Sequence, residues 1–129
     1  MKIERNSLVF VTVSLVMAGG LAMPSAALAQ DTPLSYKVSP EMYKLLAEND
    51  QFRVILQTAK PGQRDQMHSH SALAGYRLTD CTARLVTPDG KSADRSNKSG
   101  ETFLLPAVAA HAFENTGKTD CVAVLVERK

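Results

Sequence analysis

The residues of this sequence best suited to chemistry are its three histidines. The stretch "MHSHSALAGYRL" sets His68 and His70 one residue apart, and His111 lies well downstream. On an extended strand, residues two apart project from one face, so His68 and His70 stand side by side. His111 opens "HAFEN", where Phe113 and Asn115 share its face. If both strands turn these faces inward, three neutral imidazoles converge. That donor set suits a divalent iron, zinc, copper or nickel ion and leaves positions open for a ligand. A His-x-His pair alone is weak evidence; its weight here comes from the participation of every histidine in the chain. The sequence offers no Ser-His-Asp arrangement, no glycine-rich phosphate loop and no close pair of acids beside the histidines, which disfavours hydrolysis by a triad or by paired carboxylates.

The elements that would position these side chains read as strands. "QFRVILQTA", "ALAGYRL", "TARLVT", "ETFLL", "HAFEN" and "VAVLVE" have twofold periodicity and β-branched content. Turn chemistry separates them, at Pro61-Gly62, Pro88-Asp89-Gly90, Asn97 to Gly100 and Asn115-Thr116-Gly117. Six or more short strands with tight turns predict a small antiparallel barrel or sandwich. Ahead of them, Ser39-Pro40-Glu41 combines a capping serine, a first-turn proline and an acid, which predicts one short helix ending near Glu48 to Asp50. The proline-containing "QDTPLSYKV", residues 30–38, reads as a mobile lead-in.

Residues 1–29 have the layout of a secretory signal. Lys2 and Arg5 give a basic start, Leu8 to Leu21 an apolar stretch, and Ala27-Leu28-Ala29 a small-x-small cleavage site. Gly19-Gly20 and Pro24 interrupt the apolar run, which argues against a retained membrane anchor. The expected location is therefore periplasmic or secreted, with no membrane attachment in the mature form. Removing Lys2, Arg5 and Glu4 from the chain's 15 basic and 13 acidic residues leaves a net charge of about +1. Without a clustered basic face, nucleic acid is not an expected partner, and a small molecule or an ion is. In an oxidising compartment the two cysteines, Cys81 and Cys121, would usually form a disulfide, the alternative being two buried free thiols.

The histidine spacings resemble those of the cupins. The first cupin motif runs Gly, five residues, His-x-His, three or four residues, Glu, six residues, Gly; Gly62, His68 and His70 match it. The second runs Gly, five residues, Pro-x-Gly, two residues, His, three residues, Asn; Gly100, Pro106, His111 and Asn115 match it. The departures are Ala74 or Gly75 at the glutamate position, Cys81 at the closing glycine of the first motif, and Val108 at the glycine of the second.

The resemblance implies an all-β fold, a small antiparallel cupin-type (jelly-roll) barrel over residues 39–129, and a metal held by His68, His70 and His111 without the family's acid. It implies iron first, with zinc, nickel, copper or manganese as alternatives, and a homodimer. It also sets the strand that ends near Cys81 beside the last strand, bringing the cysteines within reach of each other. The expected function is a non-haem metal-dependent oxygenase acting on a small organic acid, thiol or diketone-like substrate. The alternative is a binding module for a small molecule or metal without turnover. Tyr76, which shares the parity of Ala74, is the candidate for orienting substrate or donating a proton.

Intact mass of the exported protein, with and without reductant and alkylation, should give a chain starting at Gln30 with one Cys81–Cys121 bridge. A retained N-terminus or two free thiols would contradict it.

Overall fold

The computed structural model describes residues 32–129. The signal-like stretch and its cleavage site lie outside the described residues. Among the described residues nine strands follow one short helix: α1 (Ser35–Val38), β1 (Tyr43–Glu48), β2 (Phe52–Ala59), β3 (His68–His70), β4 (Leu73–Arg77), β5 (Cys81–Val86), β6 (Ser92–Asn97), β7 (Thr102–Leu105), β8 (Val108–Asn115) and β9 (Cys121–Arg128). They form a five-stranded sheet, β1-β2-β9-β4-β7, and a four-stranded sheet, β3-β8-β5-β6, paired antiparallel throughout. Among the described residues no helix is long and apolar enough to cross a membrane.

The helix expected to begin at Ser39 is not there. Ser39 instead anchors a turn, its carbonyl accepting from the amides of Met42 and Tyr43 and its hydroxyl from the amide of Gln66. The chain then enters β1, because pairing with β2 satisfies its backbone and buries Tyr43, which local helix propensity cannot match. The helix that does form, α1, lies within the segment expected to be a lead-in. There the Ser69 amide donates to the Pro33 carbonyl at 2.9 Å, and Leu34 bridges Ser69.

The inward faces follow the twofold period. Ile55, Gln57 and Ala59 of β2, Cys121, Ala123, Leu125 and Glu127 of β9, and Leu73, Gly75 and Arg77 of β4 alternate with outward residues. Met42, Tyr43, Ile55, Phe113 and Leu125 are prominent in the core between the sheets. β4 does run beside β9, with Arg77 opposite Ala123, and the chain then turns to start β5 at Cys81. The Cys81–Cys121 disulfide therefore links the first residues of strands in different sheets. The motif glycines Gly62 and Gly100 have φ of 77° and 86°, a region that side chains other than glycine rarely enter.

Gly75 faces inward opposite Phe103 of β7, and a Cβ there would overlap the Phe103 ring. Gly75→Ala should therefore cost about 1–3 kcal/mol in urea unfolding, the range typical of overpacking, and Phe103→Leu in the same chain should recover much of it. A Gly75→Ala protein as stable as the parent would contradict this packing.

Candidate metal centre

β3 contributes two histidines and β8 the third. His68 pairs with His111, but His70 pairs with Val108, so the strands slip by one residue between them. This bulge turns His111 toward the β3 pair. All three side chains are buried. His68 Nε2 lies 2.9 Å from His70 Nε2 and 3.0 Å from His111 Nε2. Together the three imidazoles make a group able to hold a metal ion.

Hydrogen bonds behind the rings decide which nitrogens face the centre. His68 Nδ1 donates to the Gln66 carbonyl at 2.9 Å, with Asp65 Oδ2 3.4 Å from the same nitrogen. His70 Nδ1 donates to Glu127 Oε1. A carbonyl and a carboxylate only accept, so each Nδ1 carries a proton, and in the neutral form of each ring Nε2 presents its lone pair to the centre. Two acceptors held 2.9 Å apart repel unless a cation lies against both. Three such nitrogens would hold a divalent ion and leave it positions for another ligand. The donor set thus fits a first-row divalent ion.

Burial favours the neutral imidazoles that metal binding needs. Desolvation, followed by the neighbouring His70, lowers the His68 pKa to about 4. Desolvation, then His68 and His70, lowers that of His111 to about 3. Two carboxylates stand behind the rings. Asp65 accepts from the Phe113 amide at 2.6 Å and from the Tyr43 hydroxyl at 2.7 Å, while burial raises its pKa to about 6, so it is ionised at neutral pH. Glu127 is fully buried, with Arg53 Nη1 3.8 Å from its second oxygen.

Sequence reasoning missed both acids. Asp65 sits in a polar turn and Glu127 is 57 residues from His70, so neither had a spacing signal. Two other expectations are corrected. Ala74 and Tyr76 point out of the barrel, Tyr76 with 46% of its surface exposed, and neither joins the histidines. The chain leaves one sheet after His70 and enters the other at Leu73, so strand parity does not carry across Ser71-Ala72. The inward position is Gly75, filled by Phe103. Of the motif asparagine, the structure makes a turn support: Asn115 Nδ2 donates to the carbonyls of Ala59 and Thr119.

The family model for the cupin domain matches residues 55–127, the span from the middle of β2 through Glu127. The chain belongs to the cupin family. Among solved structures it is similar to a cupin domain from Bordetella pertussis Tohama I, at 25% identity and a TM-score of 0.61, over 67% of this chain and 91% of that one. It also resembles in fold the polyketide cyclase RemF from Streptomyces resistomycificus, at 22% identity and a TM-score of 0.50, covering 67% and 63% of the two chains. The Cnp3 cupin domain of Schizosaccharomyces pombe shares the fold at 12% identity and a TM-score of 0.52, over 67% and 59%. No curated protein matches the sequence. This cupin carries a three-histidine cluster with its acids behind the ligands.

Because Glu127 fixes the tautomer and orientation of His70, Glu127→Gln should weaken zinc binding about 10–100-fold with all three imidazoles retained. Ala74→Glu, on the outer face, should leave it unchanged. Competition against a chromophoric chelator reads both; equal affinity of Glu127→Gln and the parent would contradict the role given to Glu127.

Proposed function

We propose that this protein is a metal-dependent cupin oxygenase acting on a small organic substrate, with iron as the working metal. The observation that carries the reading is the set of three buried Nε2 atoms, two of them fixed as lone pairs 2.9 Å apart. His68, His70 and His111 would hold the ion, which supplies redox chemistry toward an organic molecule when iron is bound. The chain's own contribution is positioning. Gln66 and Glu127 lock two rings, and Tyr43, 5.2 Å from the His68 ring, holds Asp65 in place through its hydroxyl. With no carboxylate among the three ligands, an ion there keeps its full charge toward whatever else it binds. A cavity of about 320 Å³, lined by His111, Leu85, Val108 and Arg95, gives a small molecule access.

A binding module without turnover is the second reading, favoured by the same cavity, whose lining carries no carboxylate. We further read the protein as exported, supported by the signal layout and by the disulfide. A homodimer is supported by the outward Leu104 and Val126 flanking Ala74 on the five-stranded sheet; sedimentation equilibrium showing a monomer would remove it.

Elemental analysis of protein purified from its own compartment should find about one metal per chain, and alanine at any of the three histidines should abolish it. Oxygen uptake by the iron-loaded protein with small organic acids, thiols and diketones then separates the two readings. Uptake with one of them supports the oxygenase. Ligand binding without uptake supports the module, and metal-free protein from its native source would overturn both metal readings.

A further inference from the structure

We propose that the hollow beside Arg77 receives a small carboxylate with an aromatic or branched apolar body, and that Arg77 binds its carboxylate group. The inference rests on the small-molecule reading of the histidine site, since this hollow shares Leu85 and Arg95 with the cavity onto which His111 opens. Arg77 ends β4 on the inward side and is only 6% exposed. Among the described residues its guanidinium makes one side-chain hydrogen bond, from Nη1 to Gln57 Oε1 at 3.0 Å, and Nε has no partner. Among the described residues no carboxylate pairs with it, whereas Arg53 has both Glu48 and Glu127. An arginine offers five N–H donors, and burying its charge beside neutral groups is costly unless a counter-charge arrives.

The neighbours do not provide that counter-charge. Gln57 is an amide, and it donates in turn to the Tyr43 hydroxyl at 3.1 Å. Desolvation, then the Asp65 charge, holds the Tyr43 hydroxyl well above its usual pKa, so it stays neutral. The Phe103 and Phe113 rings lie 5.0 and 5.9 Å from the guanidinium carbon and offset part of the cost through their faces.

The open side of Arg77 faces a hollow of about 140 Å³ formed with Ala83, Leu85, Arg95, Phe103 and Phe113. Leu85 and Arg95 also line the larger cavity onto which His111 opens. Among the described residues Arg95 has no carboxylate partner, while Lys91 at the same rim is paired with Asp89 at 2.9 Å. The lining of the hollow is thus cationic at Arg77 and Arg95, polar at Asn97 and otherwise apolar. A planar carboxylate can accept two parallel N–H bonds from a guanidinium, and the two phenylalanine rings suit an apolar body.

Calorimetric titration of the mature chain, metal-free and zinc-loaded, with benzoate, 3-methylbutanoate and the uncharged benzamide tests this. At least one carboxylate should bind, and benzamide about tenfold or more weaker than benzoate. Arg77→Met should lose about 10–100-fold in carboxylate affinity, the worth of a charge-assisted hydrogen bond, with zinc affinity unchanged. Gln57→Glu supplies the counter-charge from within and should lose carboxylate binding in a chain that keeps its arginine. This second variant keeps the test decisive if Arg77→Met fails to fold. The proposal is overturned if neither carboxylate binds, or if the folded variants bind as the parent does. Failure of zinc binding with Arg77-dependent carboxylate binding intact would remove the metal reading and leave this site standing.

Discussion

The structure depends on three imidazoles brought together in a buried place, with Nε2 of His70 and of His111 each within about 3 Å of His68 Nε2. Lone pairs so close repel, and the protein holds them there by fastening the far side of two rings. His68 is tied to a main-chain carbonyl of its own strand approach, and His70 to a carboxylate on the opposite sheet. Glu127 can serve only because β9 carries it, inward and fully buried, to the end of the barrel where β3 passes. The requirement for fixed lone pairs thus extends to the pairing of β9 with β2 and β4, and to the disulfide that ties the start of β9 to β5.

Charge is distributed to match. The family acid is missing from the ligand set, yet two carboxylates, Asp65 and Glu127, lie one layer out. From there they orient imidazoles and favour a cation without occupying its coordination positions. From Asp65 a buried run of hydrogen bonds passes through Tyr43 and Gln57 to Arg77. The interior therefore has an anionic layer behind the histidines and, at the other end of that run, an arginine that no carboxylate pairs among the described residues.

Much of this was legible in the sequence, for identifiable reasons. Strand periodicity and turn residues gave the all-β barrel, and the two motif spacings brought His68, His70 and His111 together before any geometry was known. The polar edge strand β6 escaped notice because "SADRSN" buries almost nothing and so has no hydrophobic period. Ser39-Pro40-Glu41 is good helix-start chemistry, and pairing with β2 overrides it to make β1 a strand. Ala74 and Tyr76 were set on the wrong face because parity holds within a strand and is lost where the chain changes sheets. Glu127 and Arg77 looked like ordinary charged strand residues, since only the fold shows that their positions face inward.

The central claim is that the three Nε2 atoms bind one metal while the carboxylates stay outside its ligand set. A crystal structure of the zinc-loaded protein, with anomalous data collected across the metal edge, addresses it directly. The account predicts one anomalous peak about 2.0–2.1 Å from Nε2 of each of His68, His70 and His111, with Glu127 still bonded to Nδ1 of His70. No peak at the histidines, or a metal bound directly by Asp65 or Glu127, would contradict it.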